Sequence, residues 1–206
     1  RLEAEGRDII HMEIGEPCFA TAAPIVEAAR LALDQGKTAY TPSCGIPELR
    51  LAISDYYRQR YGVTVDPERV IVTTGSSADG FLLADPGYPC NANFVRRLDA
   101  EPQLVPVGPE HNYQLTAELV NRHWQANTVG AMVATPSNPT GSVIDRDQMS
   151  ELYRAVASQG GTLVVDEIYH GLTYTAEPLC SALEVAEDVL VVNSFSKYFG
   201  MTGWRL

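Results

Sequence analysis

Short apolar, β-branched runs recur along the chain at residues 70–74, 129–134, 162–165 and 189–192. Runs of this length without alternation predict strands buried on both faces, as in a parallel sheet. Between them the apolar residues fall at helical spacing. A helix is predicted from Pro24 through Ile25, Ala29 and Leu33, stopping at Gly36. A second runs from Glu48 to about Tyr61, with Leu49, Ile53, Tyr56 and Tyr57 on one face and Gly62 as its stop. A third spans 116–124 behind a threonine cap. A fourth opens on a capping box, Asp145 with Gln148, and carries Met149, Leu152, Tyr153 and Val156 to a stop at Gly160-Gly161. Residues 9–14 read as a further short strand. Residues 104–107 read as a strand near a sheet edge, because Pro106 cannot donate to a ladder.

One stretch breaks the rhythm. Residues 79–84 would have to supply both a helix and a strand, and they are too few. Either the topology changes there or residues are missing. The pattern otherwise predicts an α/β fold, a mostly parallel sheet with helices on both faces.

In such sheets ligands bind at the carboxyl ends of the strands, and there the polar residues gather: Gly75, Ser76 and Ser77, then Asn138, then Asp166 and Tyr169, then Ser194 and Lys197. A strand running into Gly75-Ser76-Ser77 makes an anion cradle of backbone N–H groups and hydroxyls, although such turns are common by themselves. Lys197 stands among Phe195, Tyr198 and Phe199, with Arg205 eight residues on. Alone it reads as well as a surface lysine. Desolvated by those rings, it becomes an amine nucleophile.

Composition narrows the classes. A net charge of −11 argues against the electrostatic attraction that nucleic-acid binding needs. The four cysteines and four histidines show no C-x-x-C pair and no metal-ligand spacing, so no metal is expected and a reducing compartment is. No apolar run approaches membrane-spanning length. The expectation is a cytoplasmic protein that engages neither nucleic acid nor membrane. A G-x-G-x-x-G fingerprint and a Walker pattern are both missing. A lysine amine, a buried acid and a phosphate cup together are what pyridoxal 5′-phosphate (PLP) requires.

The segments Ser137-Asn138-Pro139-Thr140-Gly141, Val165-Asp166-Glu167-Ile168-Tyr169 and Ser194-Phe195-Ser196-Lys197, with Arg205 behind them, resemble the signature of the class I/II aminotransferases. These are PLP-dependent enzymes of the aspartate aminotransferase fold, and order and spacing match from Gly15 to Arg205. The resemblance implies that Lys197 holds PLP as a Schiff base and shuttles a proton. Asp166 would pair with the pyridine nitrogen, and Asn138 and Tyr169 would hydrogen-bond the ring oxygen. Tyr88 would stack on the ring. Gly75, Ser76, Ser77, Ser194 and Arg205 would hold the phosphate. Tyr40 would reach the phosphate of a neighbouring subunit, implying a homodimer. Gly15 and Asn138 would face the substrate, and His170 reads as structural.

The resemblance divides the chain into an N-terminal segment, 1–36, belonging to a small domain and substrate loop, and a PLP-binding large domain, 37–206. It also marks two departures. The helix expected after Gly75-Ser76-Ser77 is missing, and the rest of the small domain does not follow Leu206. The expectation is therefore an incomplete form of a longer enzyme. The implied activity is transfer of an amino group between an amino acid and a 2-oxo acid. A PLP-dependent C–S lyase or synthase of the same fold, or a non-catalytic PLP-binding regulatory domain, are the alternatives.

Overall fold

The computed structural model describes residues 5–6, 8, 19–73, 82–97, 101–174 and 178–205. Its centre is a five-stranded, wholly parallel sheet: β1 (Leu82–Asp85), β2 (Gln103–Pro106), β3 (Gly130–Ala134), β4 (Thr162–Asp166) and β5 (Leu190–Val192), in the spatial order β2-β1-β3-β4-β5. The helices are α1 (Ala23–Asp34), α2 (Pro47–Tyr61), α3 (Pro89–Arg97), α4 (Ala117–His123) and α5 (Arg146–Ser158).

Side chains along each strand alternate between two covered faces. On one face Leu82, Val105, Ala131, Val133, Leu163 and Val165 pack against Leu119 and Val120 of α4 and Met149, Leu152 and Val156 of α5. On the other, Leu83, Met132 and Val164 meet Val95 and Ala92 of α3, with Val192 alongside. Both faces are therefore dry, which explains why the strands read as unbroken apolar runs. The capping box of α5 forms as the sequence requires, Gln148 N–H to Asp145 Oδ1 at 2.8 Å and Asp145 N–H to Gln148 Oε1 at 3.1 Å. Gly62 ends α2 in the left-handed conformation, φ +71°, its N–H on the Arg58 carbonyl. Pro106 lies on β2, the edge strand among the described residues, which pairs with β1.

Three expectations change. The strand expected at 70–74 does not form over its described residues 70–73: among the described residues no strand pairs with them. The Val72 N–H goes to the Cys44 carbonyl at 3.1 Å, and the Val70 carbonyl accepts from Arg50 Nε at 2.9 Å. An apolar groove of about 510 Å³ runs between this segment and β5, and Leu49, Ile53, Tyr56 and Tyr57 of α2 line it as one face. Second, the stretch before Asp85, too short for both a helix and a strand, yields a strand, β1, that lies inside the sheet between β2 and β3. Third, α3 begins at Pro89, in a stretch for which the sequence pattern predicts no element; Val95 anchors it, fully buried. The strand expected at 9–14 lies outside the described residues. Among the described residues no helix is long and apolar enough to cross a membrane.

Candidate active site at the carboxyl ends of the parallel strands

Beyond β3 the backbone folds into a closed loop over residues 135–142. Ser137 N–H bonds the Ser142 carbonyl at 2.9 Å and Gly141 N–H bonds the Ser137 carbonyl at 2.7 Å. Buried Gln114 ties the loop down by donating to the carbonyls of Ala134 (2.9 Å) and Ser142 (3.1 Å). Thr135 is also buried; its N–H bonds the Asp166 carbonyl at 3.0 Å and its hydroxyl accepts from Ile144 N–H at 2.9 Å. The loop after β3 is thus fastened to the end of β4, and Asn138 is what it presents.

Beyond β4 the chain turns over residues 166–172. His170 N–H bonds the Glu167 carbonyl at 2.9 Å, Leu172 N–H bonds the Tyr169 carbonyl at 3.0 Å, and Glu167 N–H reaches the Val192 carbonyl of β5 at 2.8 Å. Asp166 Oδ1 accepts the Ile168 N–H at 3.0 Å. Burial outweighs that bond and lifts the Asp166 carboxyl to about 6. Asn138 Nδ2 donates to Tyr169 Oη at 3.3 Å, joining the two strand ends. Burial also raises the Tyr169 phenol; the Asn138 bond lowers it and the Asp166 charge raises it further.

Beyond β5 comes a compact hydroxyl turn. The Ser194 hydroxyl donates to Ser196 Oγ and accepts from the Ser196 N–H, both at 3.0 Å, while Asn193 Oδ1 takes the Ser194 N–H at 2.8 Å. Asn193 is held in turn by Tyr57 Oη at 3.2 Å. Half-buried Lys197 follows, its Nζ 6.0 Å from the centroid of the Tyr169 ring. The rings that flank that lysine in sequence pack on one another, Phe195 on Phe199 at 5.6 Å and Tyr198 on Phe199 at 5.0 Å, and line the groove beside β5. The aromatic surface below the ammonium is Tyr169. Gly171 makes this docking feasible: at φ +90°, a Cβ there would meet the Tyr198 ring at 2.4 Å.

Tyr88 stands at the end of β1 and shares a cleft of about 360 Å³ with Ser137 and Asn138. Its phenol is raised by a hydrogen bond with Cys90, by burial, and by the fields of Tyr169 and Asp166. Arg205, in the left-handed conformation, is exposed and donates to the Thr202 carbonyl at 3.1 Å. Tyr40 is fully exposed on the loop between α1 and α2. Gly15, Gly75, Ser76 and Ser77 lie outside the described residues. The structure therefore brings together Asn138, Asp166, Tyr169 and Lys197, with Tyr88 beside them.

Sequence reasoning missed Gln114, Thr135 and Glu167. Glu167 is fully buried; it accepts from Ser181 Oγ (3.1 Å to each oxygen) and from the Ala182 N–H (2.7 Å), and burial lifts its carboxyl to about 7. One signal was present: Ser181 and Glu184 have capping-box spacing, and that box forms on the short 3₁₀ turn Ala182–Glu184. Gln114 and Thr135 carry no such signal.

The donor set fits PLP. A carboxylate stripped of water and holding a single backbone N–H suits a cationic ring N–H, an amide and a phenol 3.3 Å apart suit an anionic ring oxygen, and a primary amine stands over that phenol's ring.

Residues 7–206 match the family described as aminotransferase class I and II. The chain is 39% identical over 214 residues to a valine–pyruvate aminotransferase of Mycobacterium tuberculosis, covering 97% of this chain and 55% of that protein. It is also 39% identical to the (5-formylfuran-3-yl)methyl phosphate transaminase of Methanocaldococcus jannaschii, covering 100% of this chain and 56% of the relative. That alignment runs over 223 positions against a chain of 206, so the relative carries residues with no counterpart here. Among solved structures, an aspartate aminotransferase from Thermus thermophilus with maleate superposes with a TM-score of 0.91 at 36% identity, over 99% of this chain and 57% of that one. The chain spans little more than half the length of the relatives it matches.

Proposed function

The chain belongs to the class I and II aminotransferase family, and on that premise we propose that it is the PLP-binding part of an enzyme moving an amino group between an amino acid and a 2-oxo acid. The observation that carries this reading is the convergence of Asn138, Asp166, Tyr169 and Lys197 at the ends of three adjacent strands. When bound, PLP supplies an aldehyde for primary amines and a pyridinium ring that draws electron density from the substrate α-carbon.

Each residue then has a task. The Asp166 carboxylate holds the proton on the ring nitrogen, and pairing with that cation offsets the desolvation that raises its pKa. Asn138 and Tyr169 hydrogen-bond the ring oxygen. The Lys197 amine anchors the cofactor, and once released it carries a proton to and from the substrate α-carbon. Ser194 and Arg205 hold the phosphate, the latter by its two-pronged guanidinium, together with Gly75, Ser76 and Ser77. Tyr88 covers the ring face, and Gly15 with Asn138 meets the substrate. Fully exposed Tyr40 reaches the phosphate of a second copy, so the working form is a homodimer. In this reading residues 37–206 form the cofactor domain and 1–36 belong to a small domain with the substrate loop. The free thiols Cys44, Cys90 and Cys180 agree with a cytoplasmic protein.

The test uses the full-length protein with PLP. The expected result is a visible absorbance band that borohydride fixes onto Lys197, and exchange of amino groups when an amino acid and a 2-oxo acid are added. Relatives act, by their names, on valine with pyruvate and on aspartate or prephenate, so those pairs come first. Release of ammonia and a 2-oxo acid would replace this reading with a lyase. A band without any turnover would replace it with a cofactor sensor.

A further inference from the structure

The turn that carries Asp166 and Tyr169 toward the cleft has a second side, and it is occupied by titratable groups to which the site gives no task. His170 is 3% exposed, and its Nδ1 lies 2.9 Å from Tyr61 Oη at the end of α2, the two rings 5.8 Å apart. Glu167 Oε2 is 3.7 Å from the same nitrogen. Nε2 is fully buried and has no hydrogen bond among the described residues.

The protonation state follows from these neighbours. Burial lowers His170 to about 4, aided by the Arg60 charge and opposed by the Thr135 backbone, so the ring is neutral at physiological pH. Burial raises the Tyr61 phenol, aided by Tyr56, Glu167 and Tyr57, so Tyr61 keeps its proton. Two neutral groups therefore share the hydrogen bond between Tyr61 Oη and Nδ1. The contact with Glu167 is not an ion pair.

On the cleft side, Tyr169 is held by one long bond, 3.3 Å from Asn138. On the far side, the adjacent residue is held by Tyr61, and Glu167 is held by Ser181 and Ala182. We propose that Tyr61 and His170 are positioning residues of the site: their hydrogen bond pins the turn from behind and fixes where the Tyr169 phenol stands. The inference rests on the PLP reading, and it gives α2, which contributes no residue to the cofactor set, control over one that does.

A hydrogen bond from Tyr169 to the cofactor's anionic oxygen favours the deprotonated form of the chromophore. Displacing Tyr169 weakens that bond, so protonation becomes easier. In the PLP-loaded full-length protein, Tyr61→Phe raises the pH midpoint of the visible band by roughly half a unit, and Tyr169→Phe raises it further. Tyr153→Phe, which removes an exposed phenol bonded to Asp188 at 2.8 Å, leaves the midpoint in place. A Tyr61→Phe protein that melts earlier with an unmoved midpoint overturns the proposal and reduces the bond to a structural one. A Tyr153→Phe shift of equal size overturns it too. No band in the wild-type protein is a different result, which overturns the PLP reading and this inference with it. Nitrogen-15 spectra of the wild-type histidines test the geometry without any variant. His170 keeps a neutral-ring signature from pH 8 down to 5, and an ordinary titration near 6.5 overturns the proposal.

Discussion

The ends of β3 and β4 differ from the end of β5 in what surrounds them. β3 and β4 are inner strands, paired on both sides and covered by α3 on one face and by α4 and α5 on the other. Their loops are tied by buried Gln114, Thr135 and Glu167. Among the described residues β5 pairs only with β4, Leu190 is 56% exposed, and an apolar groove lies on its open side. The buried ends carry Asn138, Asp166 and Tyr169, which in the proposed function would hold a ring in a fixed electrostatic environment. The open end carries Lys197, which in the same proposal would change partners. Desolvation tunes the first group; the second needs room to move. The fold places each where its physics is available.

The contrast can be broken at several points. The largest effect belongs to the open end. Lys197→Ala abolishes the visible band and lowers turnover by on the order of 10²–10⁴-fold or more, while urea unfolding of the cofactor-free protein changes by under about 0.5 kcal/mol. A comparable loss of stability would mean that the lysine loop is part of the core. Next, Leu152→Ala in α5 costs about 2–5 kcal/mol by chemical denaturation, whereas Leu190→Ala costs under about 1 kcal/mol because it empties no cavity. Equal costs would remove the distinction between inner and edge strands.

The third effect is smaller and has a sign. The folded Asp166 titrates at about 6, above its ordinary value of 3.8. Its contribution to stability is therefore present below pH 3.8 and lost as the pH rises through 6. Asp166→Asn is expected to match the cofactor-free wild type at pH 3.8 and to exceed it by about 1–3 kcal/mol at pH 8, while binding PLP more weakly. Urea midpoints across that range decide the matter. The smallest effect lies at the seam between the two regions. Gly171→Ala places a methyl against the Tyr198 ring in a left-handed conformation and costs about 1–2 kcal/mol. It also moves the Lys197 loop, which a weakened PLP dissociation constant would report.

The same contrast governs what the sequence alone reveals. Residues 130–134 and 163–165 declare themselves because both faces of those strands are covered, so each position is small or apolar. Asn138, Asp166, Tyr169 and Lys197 declare themselves by standing where those runs stop. Residues 70–73 mislead, since an apolar β-branched run says nothing about whether a partner strand is near enough to pair. α3 is hidden because, among the described residues, it gives the core cluster on that face just Ala92 and Val95, too few to set a period. β1 is hidden by the short interval before it. Gln114 and Thr135 are hidden for a different reason: their value comes from carbonyls that lie close only after folding, and no spacing along the chain encodes that.

The sheet order has a consequence for the order of events during synthesis. From β1 through β3 and β4 to β5, the strands lie side by side in the sequence in which a ribosome would deliver them. A chain emerging at about 5–20 residues per second exposes Asn138 first, then Asp166 and Tyr169, and Lys197 only after β5 has arrived to hold it. On the proposed function, the groups that would recognise the ring at the ends of β3 and β4 are thus delivered before the amine that would react with it.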